Sequence, residues 1–561
     1  MTPTPNAARR FRAAVLRLLA AALALAAAPL ALAAQLGAPI TFAVSFPNRA
    51  AHFAHVQGQF PTDGKPSVEL MMAVWSPGYY QVENYADNVD SVRAWAPDGS
   101  ALAVQRTQRN RWQVETGGAP SVNVSYRVKA ARQFVTADWV GDSIIVLNGA
   151  PTYMTLVDGQ SRPTVVNLAL PAGWQSATSL DTASDGVANH YQAENYDELV
   201  DSPIMAGNLQ WVQFEQAGKT HALVSGGQVG DFNAEQAGRA LMRVVGETYR
   251  FWGFLPYKRY LFLNWFHPGG GGLEHKNSCM LTSNAKTLQT PAGFDDWLAF
   301  VTHEYFHAFN VKRLRPVELG PFDYENPPST PSLWIAEGLT TYYADLMLAR
   351  SGLVRQQDWT AMMSKLIAQL QNTPGRHVQT LSQSSLDVWK SEASGVRMDQ
   401  ERTVSYYTKG PVVGLLLDVH IRALTNDSAS LDDVMRAAYA KYAGAQGYTP
   451  EQFQQVADSV AHTDLSDWFH AALDSTAELN YQEMLDWFGL KFADAGNKTE
   501  RWALLPVDKP TPDQEDHLKA ILLPDAQQNA PKGPVVPRAK GDTGRRGYSR
   551  PREEPSGELI F

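Results

Sequence analysis

From about residue 36 to residue 210, apolar and polar positions alternate with a period of two. Phe42, Val44 and Phe46 form one such run, and Val68, Leu70, Met72 and Val74 another. Val122, Val124, Tyr126 and Val128 form a third. Gly, Pro, Asp and Asn punctuate the runs. This pattern puts one face of an antiparallel strand in a core and the other in solvent. No convincing helical spacing interrupts it, so residues 35–210 are predicted to form an all-β domain.

After residue 210 the period changes. A strand remains around Tyr260 to Trp265, and then helical spacing dominates. Leu241, Val244, Val245 and Tyr249 mark a helix over residues 233–252. Pro411 reads as a first-turn proline opening an apolar helix through Val413, Leu416 and Val419. Ser430 with Asp433 is a cap pattern, and Thr449-Pro450-Glu451 is another helix start. A mostly helical domain with a small sheet is expected over residues 211–480, with a short extension at 481–525. Residues 526–561 are a Pro/Gly/Arg-rich tail. They hold seven Lys/Arg, four Asp/Glu and almost no large apolar side chains. Such a segment buries too little to order itself. No internal repeat is present.

The first 34 residues break both patterns. Arg9, Arg10, Arg12 and Arg17 precede an Ala/Leu run that ends in Ala31-Leu32-Ala33, and no acid accompanies them. This is the layout of an export signal peptide. A membrane anchor is the plainer alternative, but the short run and the small-x-small finish favour cleavage. No later stretch has 18 apolar residues in a row, so the mature chain is expected to be exported, periplasmic or secreted, with no transmembrane segment. The net charge is −9, and the four signal arginines supply +4, so the rest carries −13. An acidic body lacks the basic face that nucleic acid requires. The single cysteine, Cys279, excludes an internal disulfide and thiolate zinc fingers.

Against this background stands HEYFH, residues 303–307. A helix puts residues i and i+4 on one face, so His303 and His307 could aim their imidazoles at one Zn²⁺. Trp297, Phe300, Val301 and Phe306 supply an apolar stripe for that helix, and Lys312 and Arg313 stand where it would end. Glu304, rotated by about 100° from His303, would reach a water beside the metal. The bland reading is two ordinary helix histidines. A catalytic zinc site wants three protein ligands. Glu337 in SLWIAEGLTTYYADL is the candidate for the third. It sits among Trp334, Ile335 and Leu339, where an acid needs a partner. A buried salt bridge would also provide one.

HEYFHAFNVKRLRP, WIAEGLTTYY and YYTKG, in this order, resemble the glycyl aminopeptidase family of zinc metallopeptidases. That family is related to the aminopeptidase-N and leukotriene-hydrolase group, with a thermolysin-like, mostly helical α+β catalytic domain behind the β domain. The similarity runs from about residue 40 to 490 and includes WSPGYY (75–80) and LVDSPIMAG (199–207). It implies one Zn²⁺ per chain held by His303, His307 and Glu337, with Glu304 as general base. It also implies peptide substrates with a free N-terminus. In GGGGLEH (269–275) the glycines let a backbone approach closely. The resemblance makes Gly271 and Gly272 part of a substrate-binding edge strand and Glu274 the anchor for the α-amino group. The role of His275 stays open. In YYTKG the resemblance selects Tyr407 as donor to the developing oxyanion, although Tyr406 could also point inward on local sequence.

The expected function is a zinc aminopeptidase preferring small N-terminal residues such as Gly or Ala. A zinc endopeptidase on the same site is one alternative, and a non-catalytic envelope peptide-binding protein is another. Members of the family commonly carry a PDZ domain after the helical domain. No complete PDZ pattern follows residue 480, and the tail reads as a linker or as translation out of frame.

Overall fold

A computed structural model describes residues 37–390, 399–493 and 495–522. The expected signal segment, residues 1–34, and the C-terminal tail, residues 526–561, lie outside them. The first half is built on an eight-stranded sheet. Its centre holds β1 (Ile40–Ser45), β2 (Phe53–Pro61) and β4 (Ser121–Lys129), with β5 (Thr164–Ala169) parallel to β1. Val122, Val124, Tyr126 and Val128 all face inward along β4, as period-two alternation requires. The strand β3 (Ser67–Met71) belongs to a second, four-stranded sheet. Among the described residues four short helical turns depart from the all-β expectation: Arg49–Ala51, Tyr85–Asn88, Gly149–Thr152 and Tyr196–Val200. Each spans about one turn, too short for a period of 3.6 to show in sequence.

The second half opens with a five-stranded sheet. Its strands are β6 (Gln210–Gln216), β7 (Lys219–Gly227), β8 (Arg259–Phe266), β9 (Gly271–Glu274) and β10 (Ser278–Ser283), in the order β6-β7-β8-β10-β9. The strands β7, β8 and β10 are parallel, and β9 folds back antiparallel on β10 at the sheet edge. Seven of the eight residues of β8 are buried, because both faces of the sheet are covered. Helices cover one face. On the other, Val224, Leu263, Trp265, Leu273 and Met280 share an apolar cluster with Ile144, Val146 and Met205 of the β half. The two halves therefore join through a core of their own.

The helices that matter for the site are α1 (Ala234–Trp252), α2 (Pro291–Phe306), α3 (Thr340–Arg350), α4 (Tyr406–Thr425), α5 (Leu431–Tyr442) and α6 (Pro450–Ala461). The predicted caps of α5 and α6 are present as capping boxes, Ser430 with Asp433 and Thr449 with Gln452. Two expectations are corrected. Helix α4 begins at Tyr406, capped by Ser405, so Pro411 lies inside it rather than in its first turn. Helix α2 stops at Phe306, and tight turns through Ala308, Phe309 and Asn310 follow. Lys312 and Arg313 are thus not at its C-terminus. Arg313 is buried, the Lys312 side chain is largely covered, and Arg313 donates to the carbonyl oxygens of Lys276, Ala308 and Pro256. Among the described residues no helix is long and apolar enough to cross a membrane.

Candidate metal and peptide site

His303 lies in the last turn of α2 and His307 directly caps it. Their Nε2 atoms are 3.0 Å apart. Glu337 comes from a separate element, a π-helical turn over Trp334–Leu339 that leads into α3. Its Oε2 lies 3.1 Å from His307 Nε2 and 3.6 Å from His303 Nε2. The widened turn is held from below by Asn310, whose amide donates to the carbonyl oxygens of Ile335 and Ala336 and to Thr340 Oγ1. Gly338 follows Glu337 because α4 passes so close that a side chain there would strike the backbone of Gly410. π-turns of this kind recur at functional sites.

The donor set suits zinc. Among the described residues, two groups of three have ligand atoms within 4.8 Å of one another: His303 with His307 and Glu337, and Glu274 with Glu304 and His307. The first offers two nitrogens and one carboxylate oxygen, a set used by catalytic zinc. His307 Nδ1 lies 2.9 Å from the carbonyl oxygen of Asn310, and Thr341 Oγ1 lies 3.3 Å from His303 Nδ1. Donation by Nδ1–H of His307 leaves its Nε2 lone pair facing inward.

The electrostatics point the same way. Glu274, Glu304 and Glu337 are all buried, with Lys312 as the nearby lysine cation. Burial alone would lower the pKa of His307, but the carboxylates of Glu337, Glu274 and Glu304 overcome it and push it up to about 9. Burial and the neighbouring His307 push His303 down to about 4. Burial would raise Glu337, yet the two histidines hold it well below the usual carboxylate range. Glu304 is pushed well up, first by burial and then by Glu274 and Glu337, against the pull of His307. Buried carboxylates crowded so that they raise each other's proton affinity would be relieved by a dication among them.

The edge strand β9 runs beside these groups. A side chain on Gly272 would collide with the Glu304 carboxylate and the Phe300 ring, so glycine is what lets the strand pass. Glu274 ends β9 and is buried. His275 turns away, its Nδ1 3.4 Å from Asp201. Tyr407 is half-buried, with its ring centroid 6.2 Å from that of His303. Tyr406 is more deeply buried and its ring packs on Tyr407 at 4.7 Å.

Several residues at the centre are not assigned to the site by their sequence pattern. Lys312 Nζ lies 3.0 Å from Asp201 and 3.9 Å from Glu274. Tyr80 donates its hydroxyl to Glu337 Oε1 at 3.1 Å. Gly78, with φ +94°, lies against Glu274. WSPGYY and LVDSPIMAG, which hold Gly78, Tyr80 and Asp201, do stand out in the sequence. Their motif character was the available signal, and only the fold shows where they go.

Residues 41–208 match the family model of the peptidase M61 N-terminal domain, and residues 296–413 match that of M61 glycyl aminopeptidase. Together these spans take in just over half of the chain. No curated protein matches the chain. Among solved structures, an aminopeptidase N family protein from Idiomarina loihiensis superposes with a TM-score of 0.77 at 24% identity, covering 80% of this chain and 78% of its own. An M1 zinc metallopeptidase from Deinococcus radiodurans gives a TM-score of 0.49 at 12% identity, covering 79% of this chain and 94% of its own. Fold and family together define a zinc metallopeptidase of the aminopeptidase class. Within that class, the chain belongs to the M61 glycyl aminopeptidase family.

Proposed function

We propose that this protein is an exported aminopeptidase that removes small N-terminal residues, such as Gly or Ala, from peptides lying along β9. His303, His307 and Glu337 would hold one zinc ion. Bound there, zinc supplies Lewis acidity toward water and the scissile carbonyl. Glu304 takes a proton from the attacking water and hands it to the leaving amine. Tyr407 donates a hydrogen bond to the carbonyl oxygen as it gains charge. Glu274 pairs with the substrate's α-ammonium and sets the register from the N-terminus. The observation that carries this reading is the passage of Gly272 against Glu304, which puts an open strand edge beside the base and leads it to a buried carboxylate.

The test is a panel of Gly-, Ala-, Leu- and Phe-initiated peptides, free and N-acetylated, with the zinc-loaded and chelator-stripped protein. Release of Gly and Ala from free peptides, lost on stripping and restored by zinc, is expected. Equal cleavage of acetylated peptides would indicate an endopeptidase. Absence of cleavage would indicate a binding protein.

A further inference from the structure

The structure assigns Tyr80, from the β half, as a positioning residue for the carboxylate of Glu337. The two oxygens of Glu337 face different partners. Oε2 is turned to the imidazoles of His307 and His303. Oε1 accepts the Tyr80 hydroxyl at 3.1 Å. A carboxylate with one oxygen held this way presents the other in a fixed direction. Without the phenol it can rotate about its last bond and present either oxygen, or both.

The phenol is itself braced. Tyr80 belongs by sequence to the β half, yet it is buried in the core of the helical half. Its ring stands edge-on to Trp389 at 5.9 Å, and Trp389 stands edge-on to Trp75 at 5.4 Å. The indole N–H of Trp389 donates to the carbonyl of Pro328, and that of Trp75 to the carbonyl of Asp323. Each ring is thus pinned at its polar atom and packed on the next, with geometry typical of stable aromatic pairs. The turn that carries Tyr80 also carries Gly78 onto Glu274. A single β-half turn therefore touches both the third candidate ligand and the candidate amine anchor.

This inference rests on Glu337 being a zinc ligand, and the experiment separates the two. The full-length protein is stripped of metal, and zinc is titrated back in competition with a chromophoric chelator. Cobalt(II) is loaded in parallel for its visible spectrum. Tyr80→Phe is expected to weaken zinc binding by about tenfold or more, the usual effect of losing a partner behind a ligand. The cobalt spectrum should shift, with circular dichroism and metal-free unfolding unchanged. Zinc affinity within twofold of wild type together with an unchanged cobalt spectrum would overturn the assignment. If Tyr80→Phe does not fold, Trp389→Phe keeps the phenol but loosens its brace. A shifted cobalt spectrum is then expected, and an unchanged one overturns the proposal. A wild-type protein that takes up no zinc would instead refute the underlying reading of Glu337.

Discussion

Gly78 of the β half and Glu274 of the catalytic half stand so close that no side chain fits between them. A Cβ on Gly78 would run into both carboxylate oxygens, and the positive φ of Gly78 adds strain for any other residue. Gly78→Ala should therefore push the carboxylate off its position. If Glu274 anchors the substrate amine, the loss of one charge-assisted bond of roughly 1.5–3 kcal/mol should raise KM for free peptides by about tenfold or more. The rate on N-acetylated peptides should hardly change. An unaltered ratio of free to blocked cleavage would count against the anchor.

Glu304→Gln keeps the shape of the side chain and removes its basicity. Zinc content should stay at that of the wild type, while kcat falls by about 10²–10⁴, the range for a lost general base. Metal analysis and steady-state kinetics on one preparation check both halves, and retained turnover would remove Glu304 from the role.

Tyr406 and Tyr407 can be told apart. The half-buried Tyr407 ring is the one near His303, so Tyr407→Phe should lower kcat by about 10²–10³ with little effect on KM, as for an oxyanion donor. Tyr406→Phe should remain within a few-fold of wild type. The reverse ranking would reassign the donor.

Asp345 offers a pH prediction remote from the chemistry. It is buried in α3, and burial pushes its pKa up to about 7 despite the pull of Lys365. Between about pH 4 and 7 the folded chain keeps a proton that the unfolded chain has released, so stability should decline as pH rises through that window. Burial also pushes Asp138 up to about 7, so Asp345→Asn should make this decline shallower rather than remove it, and gain no more than about 4 kcal/mol at pH 8, from 1.36 kcal/mol per pKa unit. Denaturant midpoints of both proteins at pH 5 and pH 8 provide the comparison.

Much of the site's placement was legible because its parts are local. His303 and His307 share one helical face, and an acid beside a glycine among Trp334, Ile335 and Leu339 has few places to go. The β half was legible for the same reason, since alternation within β4 is a property of nine consecutive residues. What was hidden depends on distance along the chain. Tyr80 and Glu337 are 257 residues apart, and no periodicity links them. Lys312 read as a helix-end cation because the turns after Phe306 follow from packing against the π-turn through Asn310. Pro411 read as a helix start because proline is normally expelled from helix interiors. Here Ser405 caps the helix and its first residue, Tyr406, stands five residues before the proline, and the tertiary fit of α4 against Gly338 overrides the local rule.

The outer edge of β9 has one more consequence. A strand edge recognises a chain by the N–H and C=O groups of its backbone, and only an extended chain has these to offer. A polypeptide whose first residues are wound into a helix has already committed them internally. On the proposed reading, such a substrate must fray before it can be trimmed. Selection would then act on how loosely a polypeptide begins as well as on which residue comes first, and debris from earlier proteolysis would be taken in preference to intact, folded proteins.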